Sequence, residues 1–383
     1  MSKMIFVSFV ILLSLVPMSF ARSFSVDLLP TAHFSEECKE TVQCILKAKE
    51  NDTCPTIPVP PEAFSVPFEP GTFDLKLLRK GVWVYNDGTY NTLMLKVAGH
   101  LTLFDFPDAA LSTVTESPIT NAITTLLNGT VPNRIDMVYS HAHLDHIGSS
   151  GLVFTFLREK YPKAKIFIWS TLETYDVIQR SKSNRSVLPN VIIGKRGRTL
   201  RMSRFLKVRM DIVGGHTISD LRIYIPPFKG EPGIVMYVDV VFPRYAPPFN
   251  FGLTEDLGRY VQAQKDILKL DFEILVPGHI ALGGKKDLRE NIEYTEDVVS
   301  AARTGITSVT PEQLQEAGIG KASDPSAPEF RNVFFPFVSV LRPLEIESCF
   351  RIVVEKWGCR LAAVDINARG HCFTAINYVN LEL

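Results

Sequence analysis

The stretch that decides the fold is YSHAHLDHIG, residues 139–148, which places three histidines and one aspartate within six positions. The apolar run 135–139 precedes these polar residues and predicts a buried strand. A loop that follows a strand end can aim several side chains into one small volume. The stretch therefore predicts a functional site at the edge of a sheet.

The residue types in this stretch indicate metal binding. We expect His141 and His143 to converge on one metal ion, while Asp145 and His146 reach a neighbouring ion. Imidazole and carboxylate ligands together suit zinc, and iron or manganese less well. The alternative is a polar loop that happens to be rich in histidine.

Three more candidate ligands each follow a predicted strand directly. These are His216 after the strand 206–213, Asp239 at the end of the strand 233–239, and His279 after the strand 272–276. Five of the eight histidines in the chain then belong to one set, which argues against random scatter. The remaining histidines, at positions 33, 100 and 371, are expected to be structural.

The total charge argues against polyanionic partners. The chain has 383 residues, 46% of them hydrophobic, and its 41 basic and 41 acidic residues give a formal net charge of zero. This length allows one large domain with attachments, or two domains. The composition suggests no basic stripe and no acidic tail, so we expect neither nucleic acid nor an anionic membrane surface as a partner.

The first residues have the pattern of a secretory signal peptide. Lys3 precedes the apolar run 4–16, and Ser19-Phe20-Ala21 offers small residues where a signal peptidase cuts. The run is shorter than the ~20 residues that span a membrane. We expect residues 1–21 to be removed and the protein to be secreted or held in the lumen of the secretory pathway, free of the membrane after cleavage. An uncleaved anchor is the alternative.

The cysteines and the glycosylation patterns agree with export. Acceptor triplets begin at Asn51, Asn128 and Asn184. The six cysteines form two groups of three, near the two ends of the chain, and predict a disulfide framework. If all six pair, at least one disulfide must join the two groups, because three cysteines cannot pair among themselves. Buried free thiols are the alternative. The cysteines are Cys38, Cys44, Cys54, Cys349, Cys359 and Cys372.

The order of patterns predicts four segments and an α/β fold. After the signal peptide 1–21, residues 22–75 form a proline-rich N-terminal arm, residues 76–305 an α/β body, and residues 306–383 a mainly helical C-terminal extension. In the body, short strands form a meander from Gly81 and then alternate with helices, one of which is predicted to run from a cap at Thr254 to Leu270. This order suggests helices outside two packed sheets.

Taken together, the motifs His141-Ala-His-Leu-Asp-His146, Gly215-His216-Thr217, Asp239 and Gly278-His279 resemble the metallo-β-lactamase-fold hydrolase superfamily. The likeness covers about residues 82–303. It implies an αββα sandwich with a two-metal site at one edge. By resemblance, the first metal would be held by His141, His143 and His216, the second by Asp145, His146 and His279, and Asp239 would bridge them.

The resemblance also suggests residues that support the ligands. Asp105 is similar in position to an early carboxylate of the family, although a surface aspartate in a turn would give the same pattern. Ser140 and Thr217 adjoin ligands and are candidate supporting hydroxyls, or ordinary turn residues.

The ligand set implies hydrolysis. Two metal ions, expected to be zinc, share a water and lower its pKa toward ~7, which supplies hydroxide without a serine or cysteine nucleophile. Asp145 is the candidate catalytic residue that orients the nucleophile and passes a proton to the leaving group. The prediction is a secreted dinuclear zinc hydrolase acting on a small ester, thioester, lactone or amide. The alternatives are an iron-loaded redox member of the same fold and a secreted binding protein without enzymatic activity.

The substrate is not indicated by the sequence. The lactonase branch of the family usually has a tyrosine three residues after the bridging aspartate, where this chain has Phe242. The segment 244–251 follows that position and is interpreted as either an aromatic pocket wall or a proline-stiffened loop.

Overall fold

The computed structural model describes residues 35–48, 52–59, 71–107, 118–279, 281–320, 324–326 and 337–383. The predicted signal peptide and the first glycosylation triplet's asparagine lie outside these residues. Within them, no helix is long and apolar enough to cross a membrane.

The first sheet has seven strands that lie in the order of the chain. Strands β1 to β4 form an antiparallel meander, and β4 to β7 are parallel neighbours. The predicted meander begins at Gly81, so β1 is an addition to it. The strands are β1 Asp74–Arg79, β2 Val82–Asn86, β3 Asn91–Val97, β4 His100–Phe104, β5 Arg134–Val138, β6 Lys165–Ser170 and β7 Val191–Ile192.

The second sheet has five strands in the order β12-β11-β10-β9-β8. The neighbours β11 and β12 are parallel, and the other neighbouring strands are antiparallel. The strands are β8 Arg198–Arg201, β9 Lys207–Ile212, β10 Leu221–Ile225, β11 Ile234–Met236 and β12 Ile274–Val276. The predicted strand 233–239 is thus shorter than expected, because Asp239 leaves the extended conformation with a φ of 60°.

Ten helices of the described residues accompany the sheets. They are α1 Glu36–Lys47, α2 Pro118–Leu127, α3 Leu144–Ile147, α4 Ser150–Lys160, α5 Leu172–Ser181, α6 Leu257–Leu268, α7 Lys285–Ser308, α8 Pro311–Glu316, α9 Arg342–Trp357 and α10 Val364–Glu382. The prediction that Thr254 caps α6 is wrong. Asp256 accepts the N–H of Arg259 and caps this helix, while the Thr254 hydroxyl donates to the Gly215 carbonyl.

Three apolar cores separate four layers, as the α/β sandwich prediction requires. Side chains alternate along a strand, so Leu93 and Leu95 of β3 face the second sheet while Met94 faces helices α2 and α4. On the second sheet, Ile223 of β10 faces the first sheet and Tyr224 faces the helical layer outside. The predicted αββα fold class is confirmed.

The C-terminal helices continue the outer layer over the second sheet. Trp357 of α9 is fully buried, and its indole N–H donates to Asp297 of α7. His371 of α10 lies against Tyr294 of α7, with 2.6 Å between the imidazole Nδ1 and the hydroxyl. Because α7 runs through position 305, the predicted boundary there falls inside a helix. The segment boundaries themselves stay predictions.

All six cysteines are paired. One disulfide joins the two groups, as the odd number of cysteines in each group requires. Cys44–Cys54 and Cys349–Cys372 close short loops within each group. Cys38–Cys359 joins residues 321 positions apart and ties α1 to the end of α9. No cysteine is free. The disulfide prediction is therefore confirmed.

We expect loss of the Cys38–Cys359 disulfide to destabilise the protein more than loss of a short one. Closing a longer loop removes more entropy from the unfolded chain, although a large core limits the effect. The double variant Cys38→Ser/Cys359→Ser should lower the unfolding free energy by about 2 kcal/mol. Cys44→Ser/Cys54→Ser, which opens a loop of 10 positions, is the control. Equal denaturant midpoints for the two variants, after peptide mapping has verified the pairing, would contradict this expectation.

His371 should make the stability depend on pH. Burial lowers the pKa of His371 to about 3, although the backbone carbonyl of Pro247 partly opposes this shift. An unfolded histidine has a pKa of about 6.5. The unfolded chain therefore binds a proton first, and stability falls as the pH drops from about 6.5 toward 3, by about 1.4 kcal/mol per pH unit.

The measurement is denaturant unfolding between pH 7 and 4.5, with chelator present so that metal release does not contribute. His371→Gln keeps polar contacts but removes the titration, so its stability should fall by about 2 to 3 kcal/mol less than that of the unmodified protein over this range. Identical pH profiles would show that His371 is not a buried neutral imidazole.

Candidate metal centre

All seven predicted ligands lie together at one edge of the two sheets. The strands deliver them separately: β5, β9, β11 and β12 each end just before one or more of them, and α3 carries two. The side chains fall into two groups whose ligand atoms lie within 4.8 Å of one another. One group is His141, His143, His216 and Asp239, and the other is Asp145, His146, Asp239 and His279. Asp239 is thus common to both.

The first group converges on the Asp239 carboxylate. His216 Nε2 lies 2.9 Å from His143 Nδ1 and 3.7 Å from Asp239 Oδ2. His141 Nε2 lies 3.8 Å from the same carboxylate oxygen. The three imidazoles therefore point nitrogens at one small volume beside a single negative charge.

The second group shares the same carboxylate. His146 Nε2 lies 3.0 Å from Asp239 Oδ2 and 3.1 Å from His279 Nε2. Asp145 Oδ2 lies 3.3 Å from His146 Nε2 and 3.5 Å from His279 Nε2. His279 Nε2 also lies 3.3 Å from Asp239 Oδ1, so each carboxylate oxygen of Asp239 faces imidazole nitrogens.

The donor set fits transition-metal ions. Ligands around a zinc ion at about 2.0 Å are roughly 3.3 Å apart, which is close to the spacings within each group. His141 Nε2 and Asp239 Oδ1 are buried and have no hydrogen-bond partner among the described residues. Buried polar atoms of that kind are costly unless something else satisfies them. A metal ion in each group would do so.

One side of the cluster is open to solvent. The side chains of Asp145 and His279 are 39% and 20% exposed, while those of His141 and Asp239 are 0% and 8% exposed. A substrate therefore has access from the side of the second group.

The electrostatics of the site favour metal ions over protons at most ligands. Burial lowers the pKa of His141 well below its ordinary value and that of His216 to about 4. Burial alone would raise the pKa of Asp239, but His146 and His279 outweigh it and hold that pKa well below the usual range. His146 is different: burial opposes its charge, yet Asp239 and Asp145 raise its pKa to about 9. A metal ion would have to displace that proton.

Of the three predicted supporting residues, Ser140 contacts the first ligand and Asp105 holds Ser140. Ser140 Oγ lies 3.0 Å from His141 Nδ1, which leaves Nε2 of that imidazole for the cluster. Asp105 is 1% exposed and accepts the backbone N–H of Ser140 at 2.7 Å, so it is not a surface residue. Burial raises the pKa of Asp105 to about 6, against the nearby charge of His146.

Thr217 supports the site through Asp220, a residue that the sequence analysis missed. One Asp220 oxygen accepts the backbone N–H groups of His216 and Thr217, at 2.7 and 2.8 Å, and the other accepts the Thr217 hydroxyl. Burial raises the pKa of Asp220 to about 7. This carboxylate holds the turn that presents His216. The sequence signal for this residue is an Asp three positions after the Gly-Gly-His-Thr turn.

Tyr90 is a second residue that the sequence analysis missed. Its ring centre lies 4.8 Å from that of His279 and 5.6 Å from that of His146. Tyr90 also forms an isolated antiparallel bridge with His279. It is 6% exposed and carries a hydroxyl whose pKa is raised by burial and by the carboxylate of Asp145. This tyrosine packs against both imidazoles of the second group and fixes their orientation.

Gly278 leaves room that the site needs. A Cβ at this position would lie 2.5 Å from Val238 Cγ1, 2.7 Å from His146 Cε1 and 2.9 Å from Asp239 Oδ1. Gly278→Ala should therefore displace two proposed ligands and weaken metal binding by about 10- to 100-fold, as changes next to ligands do. Gly194→Ala, whose Cβ would meet nothing within 4 Å, is the control. Metal affinity by competition with a chromophoric chelator checks this, and equal affinities for the two variants would contradict it.

The segment 244–251 is a packed loop and not a continuous aromatic wall. Phe251 is buried and stacks on His371 of α10, with 4.2 Å between ring centres, whereas Phe249 is 66% exposed. The Phe249 N–H donates to Asn367, also on α10. Phe242 is buried, with its ring centre 6.4 Å from that of His279.

No protein-family model matches the chain, and no curated protein matches it in sequence. Solved structures with a similar fold are metallo-β-lactamases. One from Pontibacter korlensis is 17% identical, with a TM-score of 0.45, over 58% of this chain and 97% of its own. One from Hirschia baltica is 18% identical, with a TM-score of 0.42, over 58% of this chain and 97% of its own. The subclass B3 enzyme BJP-1 of Bradyrhizobium japonicum is 11% identical, with a TM-score of 0.40, over 54% of this chain and 78% of its own.

At these identities and TM-scores the matches add nothing to what the chain's own geometry establishes. Two packed sheets with helices outside form an αββα sandwich, and the cluster of histidines and aspartates at their shared edge is a candidate metal centre.

Proposed function

We propose that the chain is a metal-dependent hydrolase of the metallo-β-lactamase superfamily that holds two metal ions, with zinc as the favoured ion. The observation that carries this proposal is the position of Asp239. Its carboxylate belongs to both ligand groups, and each of its two oxygens lies near imidazole nitrogen. One carboxylate between two clusters of nitrogen donors is suited to bridging two ions.

When bound, a pair of metal ions supplies a Lewis acid and a water acidic enough to act at neutral pH. The chain's own residues supply the rest. His141, His143 and His216 would hold one ion, and Asp145, His146 and His279 would hold the other. Asp145 is also the half-exposed member at the open side, which supports a role in orienting the nucleophile and in moving a proton to a leaving group.

Ser140 is not a competing nucleophile. Its contact with His141 resembles the pairing in serine hydrolases, but Ser140 is 2% exposed and its backbone N–H is bound by Asp105. No substrate carbon can approach such a hydroxyl. This supports water as the nucleophile in the hydrolysis that we propose, with a small ester, thioester, lactone or amide as the expected substrate.

Secretion is part of the same proposal. Three disulfides and the N-terminal pattern of a signal peptide both suit an oxidising compartment. Asn128 and Asn184, the acceptors of the two glycosylation triplets inside the described residues, are exposed, as a glycan would require.

The test uses mature protein from an oxidising host, assayed on a panel of small esters, thioesters, lactones and amides. We expect hydrolysis of at least one class, loss of it with chelator, and recovery on adding zinc. Recovery with iron alone, together with redox activity, would favour the iron-loaded alternative. A metal-loaded protein without chelator-sensitive activity on any class would contradict the hydrolase proposal.

A further inference from the structure

A strongly basic segment lies outside the metal centre. Residues 177–210 contain ten lysines and arginines and no aspartate or glutamate. Seven of the ten fall in the last part, 195–209, around the β8–β9 hairpin. The expectation that the chain has no basic stripe is therefore wrong, because a balanced total charge conceals this uneven distribution.

Six of these cations are exposed and follow one another between positions 195 and 207, and we call these six the row. They are Lys195, Arg196, Arg198, Arg201, Arg204 and Lys207. Among the described residues none of the six forms an ion pair. The acidic residue that follows, Asp211, is already engaged by Arg209 at 2.6 Å and Arg222 at 3.1 Å. No carboxylate is left on this hairpin to neutralise the row.

The strand geometry places the row at an open sheet edge, where Arg198 and Arg201 of β8, three positions apart, project from opposite faces of the sheet. β8 is an edge strand of the second sheet. The Cα atoms of Arg198 and Arg201, at its two ends, are about 10 Å apart at the usual rise per residue. Arg201 stands directly opposite Lys207 on β9. Opposing like charges on paired strands are destabilising, so this arrangement costs the fold something.

We propose that the row of six cations binds an extended sulfated polysaccharide. Four of the six are arginines, whose planar guanidinium forms paired hydrogen bonds with sulfate or phosphate oxygens. An edge strand protected only against aggregation needs one or two charges, and lysine is the usual choice. A row of this length and composition suits a linear polymer of anionic groups.

Other polyanions fit the surface less well. The apolar residues of the hairpin are buried or half-buried, so 195–209 offers no exposed apolar side chain for insertion into a lipid bilayer. The nearby rings of Trp169 and Phe205 already lie beneath Arg198 and Lys80, at 5.7 and 5.6 Å from the cation to the ring centre. They are not available to stack on bases, which single-stranded nucleic acid requires. The expected secretion would bring the protein into contact with extracellular polysaccharides.

This surface is remote from the proposed reaction. β9 begins at Lys207 and ends at Ile212, just before the turn that carries His216, so the Lys207 end lies about 17 Å farther along the strand. Binding there would localise the protein without occupying the metal centre. Changes in the row should leave hydrolysis unchanged.

The test is binding of the full disulfide-bonded protein to fluorescent heparin oligosaccharides at several salt concentrations. The triple variant Arg198→Gln/Arg201→Gln/Arg204→Gln should bind about 10- to 100-fold more weakly near physiological salt, with a shallower salt dependence by about one unit of slope per lost contact. The control, Arg158→Gln/Arg289→Gln/Arg303→Gln, removes three exposed arginines of α4 and α7 and should bind as the unmodified protein does.

Parallel measurements use duplex DNA and vesicles of phosphatidylcholine with phosphatidylserine. Equal weakening by both triple variants would overturn the site, and tighter binding to DNA or vesicles than to heparin at the same salt would overturn the partner. Aggregation of the first variant with unchanged heparin affinity would show that the row only protects the sheet edge.

Discussion

Replacing Asp239 with asparagine is expected to abolish the metal centre and its hydrolysis together. Asp239 is the only carboxylate of the first ligand group and the one residue that both groups share. Without its charge, the first group has no anion, and Asp145 of the second group is the only carboxylate left in the cluster to balance two cations. We expect the metal content to fall from close to two ions per chain to less than one. Hydrolysis should fall by at least about 1,000-fold, which corresponds to about 4 kcal/mol.

The control for this change is Asp176→Asn, which removes one exposed carboxylate of α5 far along the chain from every ligand. Elemental analysis and hydrolysis are measured on the same preparations. An Asp239→Asn protein that keeps both ions and most of its activity would show that the shared carboxylate does not bridge metals.

A comparison of two variants, His143→Ala and Asp145→Asn, separates loss of bound metal from loss of proton transfer. His143→Ala removes one nitrogen of the first group, so metal content and activity should fall together. Asp145→Asn removes the charge of a half-exposed carboxylate that is proposed both to bind metal and to move a proton. It should lower the rate by about 10²- to 10⁴-fold, more than its loss of metal accounts for.

The measurement is kcat divided by bound metal, compared between the two variants at saturating zinc. If saturating zinc restored kcat per bound metal to that of the unmodified protein in Asp145→Asn but not in His143→Ala, Asp145 would have no role in proton transfer. The pH dependence of kcat gives an independent readout, because loss of a proton-transfer group changes its shape while a pure binding defect does not.

Sequence patterns predict those parts of the site that depend on strand ends. His141, His216, Asp239 and His279 each follow an apolar run, and the apolar run is what the local pattern reports. Tyr90 could not be found this way. It lies just before β3, far from the motif in sequence, and meets His279 only through a tertiary contact, an isolated backbone bridge together with ring packing.

Local patterns also do not report the tertiary contacts that select the cap of α6 and the disulfide partners. Thr254 and Asp256 are both good caps in isolation, and only the tertiary bond of the Thr254 hydroxyl to Gly215 decides between them. Parity required a disulfide between the two cysteine groups, but the partners Cys38 and Cys359 depend on how α1 packs beside α9. The basic row was hidden because a sum of charges has no positional information.

Titration of the metal-depleted protein with zinc tests the central claim most directly. Competition with a chromophoric chelator counts the ions bound, while hydrolysis is followed in the same samples. The two ligand groups predict two tight equivalents per chain, with activity complete only when the second is bound. No tight binding, or one equivalent with full activity, would contradict a dinuclear centre built around Asp239.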